Sequence, residues 1–156
     1  MRIGSEEPID HWGFLDVKDK VILDLGCSPF HSSISTPQYF IEKGASKVIG
    51  IDLGYMQWTN DKLTMIPMTI QNTKQIQDLL AIYKPDIIKS DIEGAEFVFG
   101  GIYELHNVKE IAIEYHDNEL KVLMERKFNQ WGFTNPDLYQ LFDIETERMG
   151  VLHAQK

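Results

Sequence analysis

Residues 21–25 read Val-Ile-Leu-Asp-Leu, an apolar run with one polar interruption. A strand with one wet face alternates apolar and polar residues. A nearly continuous run fits a strand covered on both faces, the usual condition of parallel sheets. Further strand-like runs lie at Lys47–Asp52, Asp86–Ile92 and Glu110–His116, and segments with helical spacing separate them. That alternation predicts an α/β chain with a parallel sheet and crossover helices.

The first strand is predicted over Lys20–Leu25. One helix is predicted over Thr36–Lys43, with Pro37 in its first turn and Gly44 at its end. A second covers Lys74–Tyr83, where Ile76, Leu79, Leu80 and Tyr83 share a face. The longest runs over Glu119–Trp131 and stops at Gly132. Ala95–Leu105 is expected to hold a short helix and a turn. Leu63–Ile70 reads as a short strand that Pro67 pushes to an edge. Strands at Leu138–Ile144 and Gly150–Ala154 close the chain. Their link, Glu145–Met149, is too short for a crossover helix, so they should pair antiparallel. This makes seven strands in a single domain over residues 1–156. A terminal antiparallel hairpin is foreign to a pure dinucleotide-binding fold. The pattern resembles the Rossmann-like class I methyltransferase fold, a mostly parallel seven-stranded sheet with helices on both faces.

The formal net charge is −9, and the lysines and arginines are scattered. Phosphate backbones would be repelled, so nucleic acid is not the expected partner. No apolar stretch approaches the ~20 residues that span a bilayer, and the first residues lack the pattern of a signal peptide. The single cysteine, Cys27, agrees with a reducing setting. A cytoplasmic protein without a membrane partner is expected, and homo-oligomers are compatible with the sequence.

After the first strand comes Asp24-Leu25-Gly26-Cys27-Ser28-Pro29-Phe30. In open α/β sheets, ligands sit outside the carboxyl ends of the strands, where strand order reverses. Gly26 would let the backbone turn sharply and approach a ligand. Asp24 could receive hydrogen bonds from the ligand or from the loop, and Cys27 and Ser28 would line the turn. Asp52, with Leu53 beside it, ends the second strand and is placed to accept ribose hydroxyls. Thr69, Gln71 and Asn72 could reach an adenine amino group. A pyrophosphate wants bare backbone N–H groups, and Pro29 has none. The turn therefore disfavours NAD and suits S-adenosylmethionine, which carries no phosphate. His31 follows this turn, and Trp58 could border the adenine. His11, His106 and His153 read as surface or loop residues, and Trp12 and Trp131 as packing residues.

The fourth strand runs into Lys89-Ser90-Asp91-Ile92-Glu93-Gly94-Ala95-Glu96, and the fifth ends Ile113-Glu114-Tyr115-His116. On extended backbone, Asp91 and Glu93 face one side, as do Glu114 and His116. Neighbouring strands would bring the carboxylates and the imidazole together. Such a group could serve a general base or hold a divalent cation through oxygen ligands; no metal is assigned. Glu96 reads as a capping or water-facing residue.

The segment IKSDIEGAEFVFGG followed by EIAIEYH resembles the FkbM-type methyltransferases. Lys89, Asp91, Glu93, Gly94, Glu96, Glu114 and His116 match that family's signature, and Trp131-Gly132-Phe133 resembles its later Gly-Phe. The resemblance spans roughly Val21 to Phe133. It implies S-adenosylmethionine as cofactor and O-methylation of a hydroxyl on a sugar or small metabolite. Asp91, Glu93 and His116 are then the expected catalytic residues. Asp24, Gly26, Cys27, Ser28, Asp52, Leu53, Thr69, Gln71 and Asp91 are expected at the cofactor, and Glu114, His116 and His31 at the acceptor. Two other readings stay open: a module that binds S-adenosylmethionine without catalysis, and an NAD-dependent sugar-modifying enzyme. The short segment before the first strand leaves little material for a lid.

Overall fold

The structure, a computed structural model, describes residues 2–3, 11–27, 35–54, 60–134, 136–141 and 148–156. In chain order the strands are β1 Arg2–Ile3, β2 Val21–Leu25, β3 Lys47–Ile51, β4 Leu63–Ile66, β5 Ile87–Ser90, β6 Glu110–Tyr115, β7 Asp137–Leu141 and β8 Gly150–Gln155. Side by side they run β1-β7-β8-β6-β5-β2-β3-β4. From β4 to β6 all pairings are parallel. β8 runs antiparallel to both β6 and β7. The seven predicted strands are present, and β4 sits at the edge where Pro67 placed it. The addition is β1, two residues paired parallel with β7. Residues 142–147 lie outside the described ones, and with them the predicted end of the sixth strand and the start of the hairpin link.

Helix α1 is Thr36–Glu42, α2 is Thr73–Tyr83 and α3 is Asn118–Gln130. A 3-10 turn, η1, spans Glu96–Gly101. Both α2 and α3 begin one residue before their predicted starts, because polar side chains cap them. Asn72 accepts from the Gln75 N–H at 3.1 Å while Gln75 accepts from the Asn72 N–H at 3.1 Å, a reciprocal capping box. Asp117 accepts from the Leu120 N–H at 2.8 Å.

The sheet is covered on both faces. On one, Ile76, Leu80, Phe99, Met124 and Phe128 from α2, η1 and α3 pack on Leu23, Ile49, Ile88, Ile111 and Ile113. On the other, Trp12, Leu15, Val17, Tyr39 and Phe40 pack on Ile22, Val48, Ile87 and Ala112. Alternate residues of each central strand therefore enter opposite cores, which explains the continuous apolar runs. Each fully buried large side chain, such as Phe40 or Phe128, contributes about 1.5–3 kcal/mol. Residues 11–17 are part of a core, not spare chain for a lid.

From β2 the chain builds β3 and β4 to one side, then crosses back to place β5 and β6 on the other. The reversal opens a crevice at the carboxyl ends of β2 and β5.

Candidate functional site

Asp24 turns inward. It is fully buried, accepts from Thr36 Oγ1 at 2.5 Å and lies 2.9 Å from Lys89 Nζ. Lys89 is buried too. It donates to the Gly26 carbonyl at 2.6 Å, and its ammonium stands 5.0 Å from the centre of the Trp12 ring. Burial pushes the Asp24 carboxyl up, with Lys89 opposing it. Burial acts to lower Lys89, but Asp24 and then Asp91 outweigh it. Both partners lie within the protein, on α1 and β5, and neither belongs to the turn that follows Asp24.

Gly26 makes the sharp turn with φ +70°, and its N–H donates to Ile51 O at 2.9 Å. The close approach it permits is to protein. A Cβ there would lie 1.7 Å from the Asp91 carbonyl oxygen. Cys27 is buried. Burial, and next the Asp24 charge, push its thiol up, so it lines the turn and supplies no thiolate. Ser28, Pro29, Phe30, His31 and Trp58 lie outside the described residues.

Asp52 follows β3, half-buried, and closes a small turn by accepting from the Gly54 N–H at 2.6 Å. Leu53 beside it is 69% exposed, an apolar side chain held out at the same strand end. Thr69 and Gln71 are exposed just before α2. Their backbones are tied to Gln75, through Thr69 O at 3.2 Å and Gln71 N at 2.7 Å. Asn72 is committed to its cap.

β5 ends at Ser90 and β6 at Tyr115, so strand alternation does not align Asp91 with Glu93. The Asp91 N–H still bonds Leu25 O at 2.9 Å. Glu93 at φ +52° and Gly94 at φ +85° then reverse the chain. A left-handed glutamate is uncommon and strained, and here it carries the side chain back over β6. His116 Nε2 lies 3.6 Å from Glu93, 3.7 Å from Glu114 and 3.8 Å from Asp91. The imidazole and the carboxylates do converge, through a turn where strand geometry was expected.

Glu96 is a correction. It is fully buried, and one of its oxygens hydrogen-bonds His116 Nδ1. The turn of η1 carries it under the ring. His11 is another, since it is buried against Glu114 at 2.9 Å and stacked on Trp12. His153 belongs to β8 and meets Glu110 at 2.9 Å, whereas His106 is exposed, as expected. Trp12 and Trp131 pack, as expected.

Burial alone would lower the His116 pKa, but Glu96, Glu114 and Asp91 outweigh it and raise it to about 9. Burial raises the Asp91 carboxyl to about 6, with Lys89 opposing and Glu114 adding. The side chain of Asp91 has no hydrogen bond among the described residues, and its Oδ1 is shielded from solvent. Sequence reasoning gave Lys89 no separate role and set Glu96 aside. The usable signal for Lys89 was a lysine directly after two isoleucines in a predicted central strand.

Residues 6–128 match the family model described as FtsJ-like methyltransferase. No curated protein matches the chain in sequence. Among solved structures, an S-adenosylmethionine-dependent methyltransferase from Mesorhizobium loti aligns with TM-score 0.56 at 11% identity, over 93% of this chain and 94% of that one. A candidate RNA methyltransferase from Pyrococcus horikoshii aligns with TM-score 0.54 at 12% identity, over 90% and 77%. A candidate hemolysin from Streptococcus thermophilus aligns with TM-score 0.52 at 12% identity. That alignment covers 91% of this chain but 61% of the other, so this chain spans less than two thirds of its length. These likenesses bear out the Rossmann-like methyltransferase architecture. No helix among the described residues is long and apolar enough to cross a membrane.

Proposed function

The chain belongs to the FtsJ-like methyltransferase family, with S-adenosylmethionine as cofactor, and we propose that it methylates a hydroxyl oxygen on a sugar or another small molecule. The observation that carries this reading is the Asp91 carboxylate. It stands at the crevice without a hydrogen bond among the described residues, beside an imidazole fixed by a buried glutamate. The Lys89–Glu96 and Glu114–His116 pattern supports an FkbM-type site in this chain.

The residues at the end of β3 fit the cofactor. Asp52 offers a carboxylate of the kind that binds ribose hydroxyls, and Leu53 an exposed apolar surface for a purine. The Gly26–Cys27 turn, Thr69 and Gln71 complete that side. When bound, S-adenosylmethionine supplies an activated methyl carbon, to which the acceptor oxygen bonds as the carbon–sulfur bond breaks. Asp91 takes the acceptor proton, since its backbone abuts the Gly26 turn and its carboxylate lies 3.8 Å from His116. Glu96 holds the ring of His116 so that Nε2 faces the acceptor, and alignment does the rest.

Asp91, Glu93 and Glu114 gather at the mouth of the crevice in a chain of formal charge −9. That field disfavours a phosphodiester. An RNA acceptor is the second reading, prompted by the Pyrococcus horikoshii neighbour. Labelled methyl transfer from S-adenosylmethionine to a panel of sugars, hydroxylated metabolites and RNA separates them. The expected result is transfer to a small hydroxyl acceptor, abolished in Asp91→Asn. Transfer to RNA alone refutes the acceptor class. Turnover by Asp91→Asn above half of the parent rate refutes the role of Asp91. Binding of S-adenosylmethionine with no transfer across the panel refutes catalysis on these acceptors.

A further inference from the structure

We propose that Asp91, Glu93 and His116 form a binding site for one divalent first-row transition-metal ion. The strand-end cluster is more than a set of acids, because it offers one nitrogen and two carboxylate oxygens to a common point. One ligand atom from each residue lies within 4.8 Å of the other two. Two of the three separations, both from His116 Nε2, are 3.6 and 3.8 Å. An ion equidistant from three atoms so spaced and lying in their plane is about 2.4 Å or less from each, within the reach of metal–ligand bonds after small side-chain adjustments.

Two observations outside those distances point to an ion. The first is Asp91 itself. Its Oδ1 is shielded from solvent, aims at His116 Nε2 and has no hydrogen bond among the described residues. A buried carboxylate oxygen without a donor is costly, and a cation would relieve it. Glu114 backs it, 7% exposed, with Oε1 turned to the same Nε2. The second is Glu96, fully buried, holding His116 Nδ1 from behind. A carboxylate on the far nitrogen of a metal-binding imidazole fixes the ring and strengthens the ligand. An imidazole among carboxylates favours manganese, cobalt or zinc over magnesium or calcium, which prefer all-oxygen shells. Three protein ligands leave open positions, which face the crevice where the acceptor hydroxyl is proposed to sit.

The test uses the full chain, stripped with chelator, and Mn2+ alone, with no methyl donor or acceptor. Its outcome is therefore separate from that of the methyl-transfer assay. Electron paramagnetic resonance counts free Mn2+ during a titration. One saturable site per chain is expected, weakened at least tenfold in Glu93→Gln. The Glu93 side chain is 85% exposed, so this variant keeps the fold, and a circular-dichroism melt verifies it. Pulsed resonance should also detect a nitrogen nucleus coupled to the bound Mn2+, lost in His116→Gln. No saturable binding up to millimolar Mn2+ overturns the proposal. So does parent-like affinity in Glu93→Gln, or bound Mn2+ without coupled nitrogen.

Discussion

Substituting Gly26 with alanine should damage both stability and the site, through one added methyl group. Two costs combine. The residue sits at φ +70°, where an L side chain costs about 1–2 kcal/mol. The new Cβ would also meet the Asp91 carbonyl oxygen at 1.7 Å, where real Cβ contacts essentially never fall below 3.0 Å. The ends of β2 and β5 must therefore part by more than an ångström, against the Asp91 N–H to Leu25 O bond of 2.9 Å. Forced overpacking of this kind costs about 1–3 kcal/mol, so the total is about 2–5 kcal/mol. Against a typical domain stability of about 5–15 kcal/mol, the variant should fold but unfold at clearly lower urea. Because Asp91 is the group displaced, methyl transfer should fall further than the folded fraction does. Urea unfolding with an unchanged m-value gives the first quantity, and turnover per folded molecule gives the second. A loss below about 1 kcal/mol with parent turnover would mean that β2 and β5 are not in this contact.

Other perturbations probe other parts of the molecule. Lys89→Met leaves Asp24 buried without its cation, and should cost about 3–5 kcal/mol; pairing it with Asp24→Asn should recover part of this, and a double mutant no better than the single one refutes the pair. Asp52→Ala removes a carboxylate proposed to hold ribose hydroxyls, worth about 1.5–3 kcal/mol; calorimetry should find S-adenosylmethionine bound at least tenfold more weakly, and unchanged affinity removes Asp52 from the site. His116 is raised in the folded state from 6.5 to about 9, so its contribution is full below pH 6.5 and is lost as pH rises through about 9. Chelator-treated protein should lose stability over that window and His116→Gln should lose less, whereas equal slopes would contradict the charged imidazole.

The sheet was legible because its signal is local. A strand buried on both faces shows itself as a largely apolar run, and β2, β3 and β6 do so despite one or two polar residues each, whereas β5 is apolar only at Ile87 and Ile88. The capping partners Asn72 and Asp117 were missed because capping moves a helix boundary by one residue while the apolar period stays the same. At the site, residue identities were legible and directions were not. Asp91, Glu93 and His116 were expected together and lie together, yet the left-handed turn at Glu93 is what brings them there, and no alternation rule contains it. The partners of Asp24 and Glu96 were not legible for a shared reason. Whether a carboxylate faces water or a buried partner depends on residues far away in the chain, Lys89 for one and His116 for the other. His11 is the same case, its partner Glu114 lying on the fifth predicted strand.

The place of β8 in the sheet sets an order on synthesis. Residues 150–155 are inserted between β6 and β7, and β1 reaches the sheet only through β7. A chain emerging from the ribosome can assemble β2 to β6 as each crossover closes. Residues 2 and 3 must wait for β7, which follows all of β2 to β6 in the chain. Pairings that distant in sequence form slowly, and the edge of β6 stays open meanwhile, a template for other chains. Folding yield should therefore respond to translation speed and chaperone supply while β7 and β8 are being made more than while β2 to β6 are.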